Sequence, residues 1–565
     1  MHLLNARTAA LIDGEAVDLG QSPGDIVVVS AADSELALLA SAQAEAGSDA
    51  PTLRLASLLQ LGHRMSVDLY VETVVRRARL VVLRLLGGRS YWSYGLEQVA
   101  AACRAEGISL AVLPGDDQPD PELDAWSSLP AADRLRLWRY LVHGGADNAR
   151  QFLRSAAVLL GRATDWREPT PLLRAGYFVP GCPDADLDTV QAAWSPGRPV
   201  AALIFYRALL QAGNTAVVES LIAALAEVGL NVLPIYVSSL RDDAASALLA
   251  DAFARTQPAV ALNTTGFAAR GHGDVDTRSP LELADAPILQ VVLSGGSEAD
   301  WRAGRHGLAP RDLAMHVVLP EIDGRILTRA VSFKATERFD ERTESRLIGY
   351  RPVPDRVAYV AALAAAWVRL RTTPPPERRV ALILANYPAK DGRLANGVGL
   401  DTPASAITIL EGLAAAGYRI DEAPGSSAAL MAALTGPPSS AAHLDLADYR
   451  TALAALPQAA RDTVAGRWGP PEADPTVTDG AFPFRGLLFG NVAVAVQPPR
   501  GYQIDPVASY HSPDLPPPHH YLAFYAWLRA GFGAHAVVHV GKHGNLEWLP
   551  GNAVALSDSC FPRPR

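Results

Sequence analysis

The sequence predicts a multidomain α/β protein, with several largely parallel sheets flanked by helices and a helical insertion late in the chain. Three observations carry this expectation. The chain has 565 residues, room for about three to five domains at roughly 100–200 residues each. Hydrophobic residues make up 49% and charged residues 19%, the profile of filled cores rather than of a disordered chain. Short apolar runs also alternate with longer stretches in which apolar residues recur every three or four positions, the signature of strand–helix–strand units.

Taken in order, positions 26–29, 80–86, 110–113, 201–206, 232–237, 259–263, 288–293 and 317–319 read as buried strands, continued by 380–384, 492–496 and 534–540. Between them, 216–228, 244–254 and 403–416 read as amphipathic helices. Ser195-Pro196-Gly197-Arg198-Pro199 marks a joint before a fresh strand, and Thr372-Thr373-Pro374-Pro375-Pro376-Glu377 is a stiff, extended linker. The divisions expected are an N-terminal α/β domain over 1–195, a second over 196–371, and a third opening at 372–424. The third is interrupted by a helical insertion over 425–484 and continues through 485–565.

The net charge of −9 and the lack of a basic stripe argue against nucleic acid as a partner. Cys103, Cys182 and Cys560 fit no zinc or redox spacing, which points to a reducing, cytoplasmic setting. The N-terminus shows no signal-peptide pattern. The longest apolar stretch, 358–368, is shorter than the roughly 20 residues that cross a bilayer, so no membrane is expected. Only Lys334, Lys390 and Lys542 are lysines among 50 basic residues, and two of them fall in the motifs below.

Six of the 13 histidines lie between 511 and 543: His511, His519, His520, His535, His539 and His543. Imidazole both binds transition metals and moves protons near neutral pH. The run Val540-Gly541-Lys542-His543-Gly544-Asn545-Leu546-Glu547-Trp548 reads as a strand end, a glycine-punctuated turn and a short helix start. His539, His543 and Glu547 are spaced by four, but Gly541 and Gly544 place them around a turn rather than along one helix. The Gly-Lys pair is no phosphate loop, because His543 follows the lysine and Ala536 stands where the first glycine belongs. Upstream, three prolines lead into His519 and His520 at the start of an aromatic helix.

A second polar stretch follows the strand 380–384: Asn386-Tyr387-Pro388-Ala389-Lys390-Asp391-Gly392-Arg393-Leu394-Ala395-Asn396-Gly397. A glycine-rich loop between a buried strand and a helix is where an α/β sheet takes its ligand. Asn386, Asp391, Arg393 and Asn396 are its candidate contacts.

The loop 386–405 and the segment 490–502, which ends at Arg500-Gly501-Tyr502, resemble signature stretches of CobN-type cobaltochelatase large subunits, as do 519–528 and 539–551. Weaker echoes lie at 87–95 and 319–325. The magnesium chelatase H subunits share a similar His-Gly-x-x-Glu region, but the loop resembles the cobalt branch more closely. The resemblance implies ATP-dependent insertion of Co²⁺, the substrate metal, into hydrogenobyrinic acid a,c-diamide during aerobic cobalamin synthesis. ATP and Mg²⁺ would then be used by partners, an AAA+ ATPase subunit and its accessory subunit (CobS and CobT type).

Such chemistry needs ligands for Co²⁺, a base over the ring, and donors for the peripheral carboxylates. His543, Glu547 and His539 are the expected catalytic residues, and His519, His520, His543 and Glu547 the expected metal ligands. Asn386, Asp391, Arg393, Asn396 and Arg500 are expected to hold the substrate. Members of that family run longer, so the sequence is expected to be the front part of a truncated subunit. Alternatives left open are a tetrapyrrole-binding fragment without chelatase activity, a magnesium chelatase H-like subunit, and metal-dependent hydrolysis.

Overall fold

A computed structural model of the chain describes residues 16–47, 49–182, 184–269, 278–304, 306–386, 399–437, 441–501, 512–541 and 546–561, leaving aside the side chains of 335–338 and 547. The first sheet comprises β1 (Ile26–Ser30), β2 (Leu53–Ser57), β3 (Leu80–Leu85) and β4 (Ser109–Pro114). Their order is β2-β1-β3-β4 and every pairing is parallel. Parallel strands are covered on both faces, which is why β1 and β3 are apolar at nearly every position. Val27, Val29, Val81 and Leu83 pack against Leu96 and Val99 of the helix Ser93–Glu106. Ile26, Val28, Leu80 and Val82 face the opposite way, toward the helices Asp33–Glu45 and Ala146–Leu159.

The second sheet runs β11-β10-β9-β8-β6-β7-β5. Its strands are β5 (Ala175–Tyr177), β6 (Val200–Tyr206), β7 (Asn231–Val237), β8 (Val260–Asn263), β9 (Ile288–Ser294), β10 (Ile326–Asp340) and β11 (Ser345–Pro352). An antiparallel strand closes each edge: β5 on β7 and β11 on β10. Because β5 belongs to this sheet, the second unit begins before the joint expected at 195–196. The expected strand at 317–319 is instead helical, spanning a π-helical turn over Ala314–Val318 and the helix Leu319–Ile322.

The helix Pro354–Thr372 leads to a third sheet of β12 (Val380–Leu384), β15 (Gly486–Phe489), β16 (Val492–Val496) and β17 (Ala536–Val540). Its order is β15-β16-β12-β17, with β12 parallel to both neighbours and β15 antiparallel. Leu382 and Leu384 meet Ala406 and Leu410 of the helix Thr402–Ala415, while Ala381 and Ile383 meet Ala523 and Phe524 of the helix His519–Ala526. The segment expected as a helical insertion holds the helices Ser427–Thr435, Leu446–Ala454 and Gln458–Trp468. It also contains a small antiparallel pair, β13 (His443–Asp445) with β14 (Ala481–Pro483).

Contacts stitch the units together. Lys334 Nζ reaches Asp33 at 2.8 Å, and Arg54, buried on β2, pairs with Glu344 at 2.8 Å. At the other end, Trp301 Nε1 donates to Ala555 O at 3.1 Å, and Val554 and Ala555 pack with Trp301 and Phe333. No described helix is long and apolar enough to cross a membrane.

Candidate functional site at the carboxyl edge of the third sheet

Parallel sheets take ligands beyond the carboxyl ends of their strands, at points where the strand order reverses. In the first sheet that place, between β1 and β3, is filled by the chain itself: Arg84 and Glu35 form a buried ion pair at 2.6 Å and Ser30 Oγ donates to Glu35. An open hollow of about 810 Å³ lies further along, beyond β3 and β4. Its guanidinium, Arg89, is already committed to Glu97 and Glu122, so the hollow offers no unpaired basic group. In the second sheet, Asn263 at the end of β8 bonds to Thr265 and to Gln290 on β9, and Gln290 bonds in turn to Arg325, which pairs with Asp323.

The third sheet differs. Register pairs Leu384 with both Val496 and Val540, so the ends of β12, β16 and β17 are level. Gln497 N–H donates to Leu384 O at 3.0 Å and Ala385 N–H to Val540 O at 3.2 Å, carrying the alignment one residue further. From these three ends the chain enters the polar stretches 387–398, 502–511 and 542–545. Asp391, Arg393, Asn396 and His543 fall within them and lie outside the described residues, as does the side chain of Glu547. Asn386 is described: its Oδ1 is buried at the edge without a hydrogen-bond partner. Such an orphaned acceptor carries a free-energy cost unless a donor arrives.

His539, on β17, is the described histidine nearest that edge. Its ring stacks on Tyr525, with centroids 6.1 Å apart, and its Nε2 sits 3.5 Å from Tyr525 Oη. One side is crowded by the helix His519–Ala526 while the other is open to solvent. The crowding lowers its pKa below the ordinary imidazole value, and the open face limits that effect. Tyr525 is held in turn by Gln497 Nε2, which donates to Tyr525 Oη at 2.7 Å and Tyr521 Oη at 3.1 Å. Burial pushes the Tyr525 phenol up to about 12, so it stays a neutral hydroxyl. Gln497 and Tyr525 were missed in the sequence, although a lone amide directly after an apolar strand was a usable signal.

Two expected metal ligands, His519 and His520, and one expected substrate contact, Arg500, have other partners. His519 is 1% exposed; its Nε2 lies 2.9 Å from Gly469 O and its Nδ1 2.7 Å from Tyr449 Oη. A carbonyl only accepts, so Nε2 carries the proton and Nδ1 accepts from Tyr449, leaving no lone pair for a metal. His520 Nε2 donates to Pro483 O at 3.0 Å, and the ring stacks on Phe484. Arg500 is 0% exposed and donates to Ser512 O and Leu515 O at 2.6 and 3.1 Å, so it pins the approach to the helix rather than facing a cleft. Among the described residues no three His, Cys, Asp or Glu side chains converge as a metal site.

These features define a multi-sheet α/β protein with a candidate ligand edge at the carboxyl end of its third sheet. The profile of the CobN/Magnesium Chelatase family matches residues 138–564, and the chain belongs to that family. It is 49% identical over its whole length to the aerobic cobaltochelatase subunit CobN of Sinorhizobium sp, covering 45% of that protein. Against the Pseudomonas aeruginosa subunit of the same name the identity is 47%, with 46% of that protein covered. The structure is similar to the catalytic subunit of cobaltochelatase from Mycobacterium tuberculosis, with a TM-score of 0.77 and 35% identity. That likeness covers 95% of this chain and 44% of the other. The chain thus spans a little under half the length of these relatives.

Proposed function

We propose that this chain provides the corrin-holding part of a cobaltochelatase large subunit, which binds hydrogenobyrinic acid a,c-diamide while Co²⁺ is inserted. The observation that carries the reading is the level alignment of the carboxyl ends of β12, β16 and β17, beside an orphaned Asn386 acceptor and a half-open His539. Asn386, Asp391, Arg393 and Asn396 hold peripheral amides and carboxylates of the ring. His543 and Glu547 receive the hydrated cobalt and take protons from the ring nitrogens. His539 is neutral at neutral pH because crowding lowers its pKa, so it serves as a further proton acceptor, steered by Tyr525 and Gln497. ATP hydrolysis belongs to an AAA+ partner and its accessory subunit in the cytoplasm, with the cobalamin pathway as the destination.

The test uses the subunit with its ATPase partners, ATP, Co²⁺ and the corrin, following insertion by the change in the corrin absorption spectrum. Glu547→Gln is expected to slow insertion by about 100-fold or more, with corrin affinity held within about threefold. Unchanged turnover removes Glu547 from the chemistry. A second reading is favoured by the coverage of under half of each relative: residues 1–565 alone bind the corrin without inserting cobalt. Corrin retention with no insertion, even with partners and ATP present, selects it.

A further inference from the structure

We propose that the free edge of β17 docks a parallel β-strand followed by a helix, contributed by the polypeptide that makes up the other half of the longer relatives. The proposal concerns assembly and holds whether or not the edge inserts cobalt. β17 is the last strand of its sheet among the described residues. Ala536 N–H donates to Arg379 O and Val540 O accepts from Ala385 N–H, so alternate backbone groups, those of Ala536, Val538 and Val540, face β12. Those of Val537 and His539 point the other way, to the open edge.

The side chains give the second observation. Val537 and Val538 are 40% and 41% exposed. Successive strand residues point to opposite faces, so β17 is part-exposed on both faces at Val537 and Val538, while Val540 at its end is buried. β12 beside it and β16 beyond β12 are buried at every position. Parallel strands of this architecture are normally covered on both faces, and an apolar open edge is an aggregation liability.

A lone strand would satisfy the edge but leave Val537 and Val538 wet. A second copy of this chain, pairing edge to edge, would do the same. A strand with its following helix covers both, and the Sinorhizobium relative, 45% covered by this chain, has length to supply it. Added in parallel, its carboxyl end would stand beside that of β17, where the chain enters 542–545, and so would add a wall to the candidate site.

The test co-expresses residues 1–565 with the part of the Sinorhizobium relative that lies outside the match. It reads co-purification and amide hydrogen exchange. In 1–565 alone, the Val537 and His539 amides are expected to exchange quickly while Val538 is slower. In the complex, the first two are expected to slow by about 100-fold or more. Val537→Pro removes a donor that faces only the open edge, so it is expected to abolish co-purification with little change in the melting temperature of 1–565. Val538→Lys keeps every backbone group and puts a charge under the docked helix; it provides the same reading should the proline variant fold poorly. Failure to co-purify, co-purification with fast Val537 and His539 exchange, or undiminished binding by both variants overturns the proposal. So does concentration-dependent protection of these amides in 1–565 alone, which would assign the edge to a second copy.

Discussion

At the scale of single residues, the imidazoles of the C-terminal region show how far a side chain's partners override its intrinsic chemistry. His519 and His539 are the same residue type 20 positions apart, yet one is sealed between Tyr449 and Gly469 and the other is half open at a sheet edge. The sequence displayed the enrichment of histidines, but Tyr449 lies 70 residues from His519, and nothing local signals that pairing. Removing the Tyr449 hydroxyl leaves a buried acceptor on His519 unmet. Tyr449→Phe is therefore expected to cost about 1–3 kcal/mol of stability, measured by urea denaturation. His519→Phe removes the unmet acceptor but also the donor to Gly469 O, so the double variant is expected to lose less than the sum of the two single losses. A loss equal to that sum or above it would mean that packing, not the Tyr449–His519 hydrogen bond, sets the cost.

Among elements, legibility followed chemistry. β12 and β16 were read to the residue because buried parallel strands are continuous apolar runs. β10 was missed because Thr328, Arg329 and Lys334 interrupt its pattern; Arg329 is nonetheless buried, its guanidinium 3.4 Å from the Tyr359 ring centroid. Residues 317–319 misled because a three-residue apolar run has no period to separate strand from helix. The candidate edge was legible as two polar stretches after apolar strands. Its alignment was not, since register depends on pairing across 112 to 156 residues of sequence. Gly541 shows what the alignment demands: a Cβ there would lie 2.5 Å from Ala385 Cβ, so the glycine admits the close approach of β17 to β12. Gly541→Ala is expected to destabilise the protein by about 1–3 kcal/mol through overpacking. It should also weaken corrin binding, because the two strand ends must move apart. Loss of stability with unchanged corrin affinity would place the ligand away from this edge.

The whole molecule carries a pH dependence that no single unit owns. His143 closes a helix of the first unit, His316 lies in the second, and His520, His535 and His539 belong to the third. All five have pKa values lowered from 6.5, with desolvation the leading cause in each. The unfolded chain therefore binds protons at a higher pH than the folded one. Above about pH 8 both states hold these rings neutral and their contribution is flat. As pH falls through 6.5 the unfolded state protonates first, and the melting temperature is expected to drop until the folded values are passed. Lowered carboxylates such as Asp242 and Glu344 act in the same direction, but only nearer their ordinary range around pH 4. Between pH 7 and 5.5 the five imidazoles set the sign, against Asp355, whose raised pKa adds stability as pH falls. His520→Gln, which keeps an N–H for Pro483 O, should flatten that part of the curve. A melting temperature that rises on acidification from pH 7 to 5.5 would contradict the sign, and with it the burial of neutral imidazole as the main source of the pH dependence.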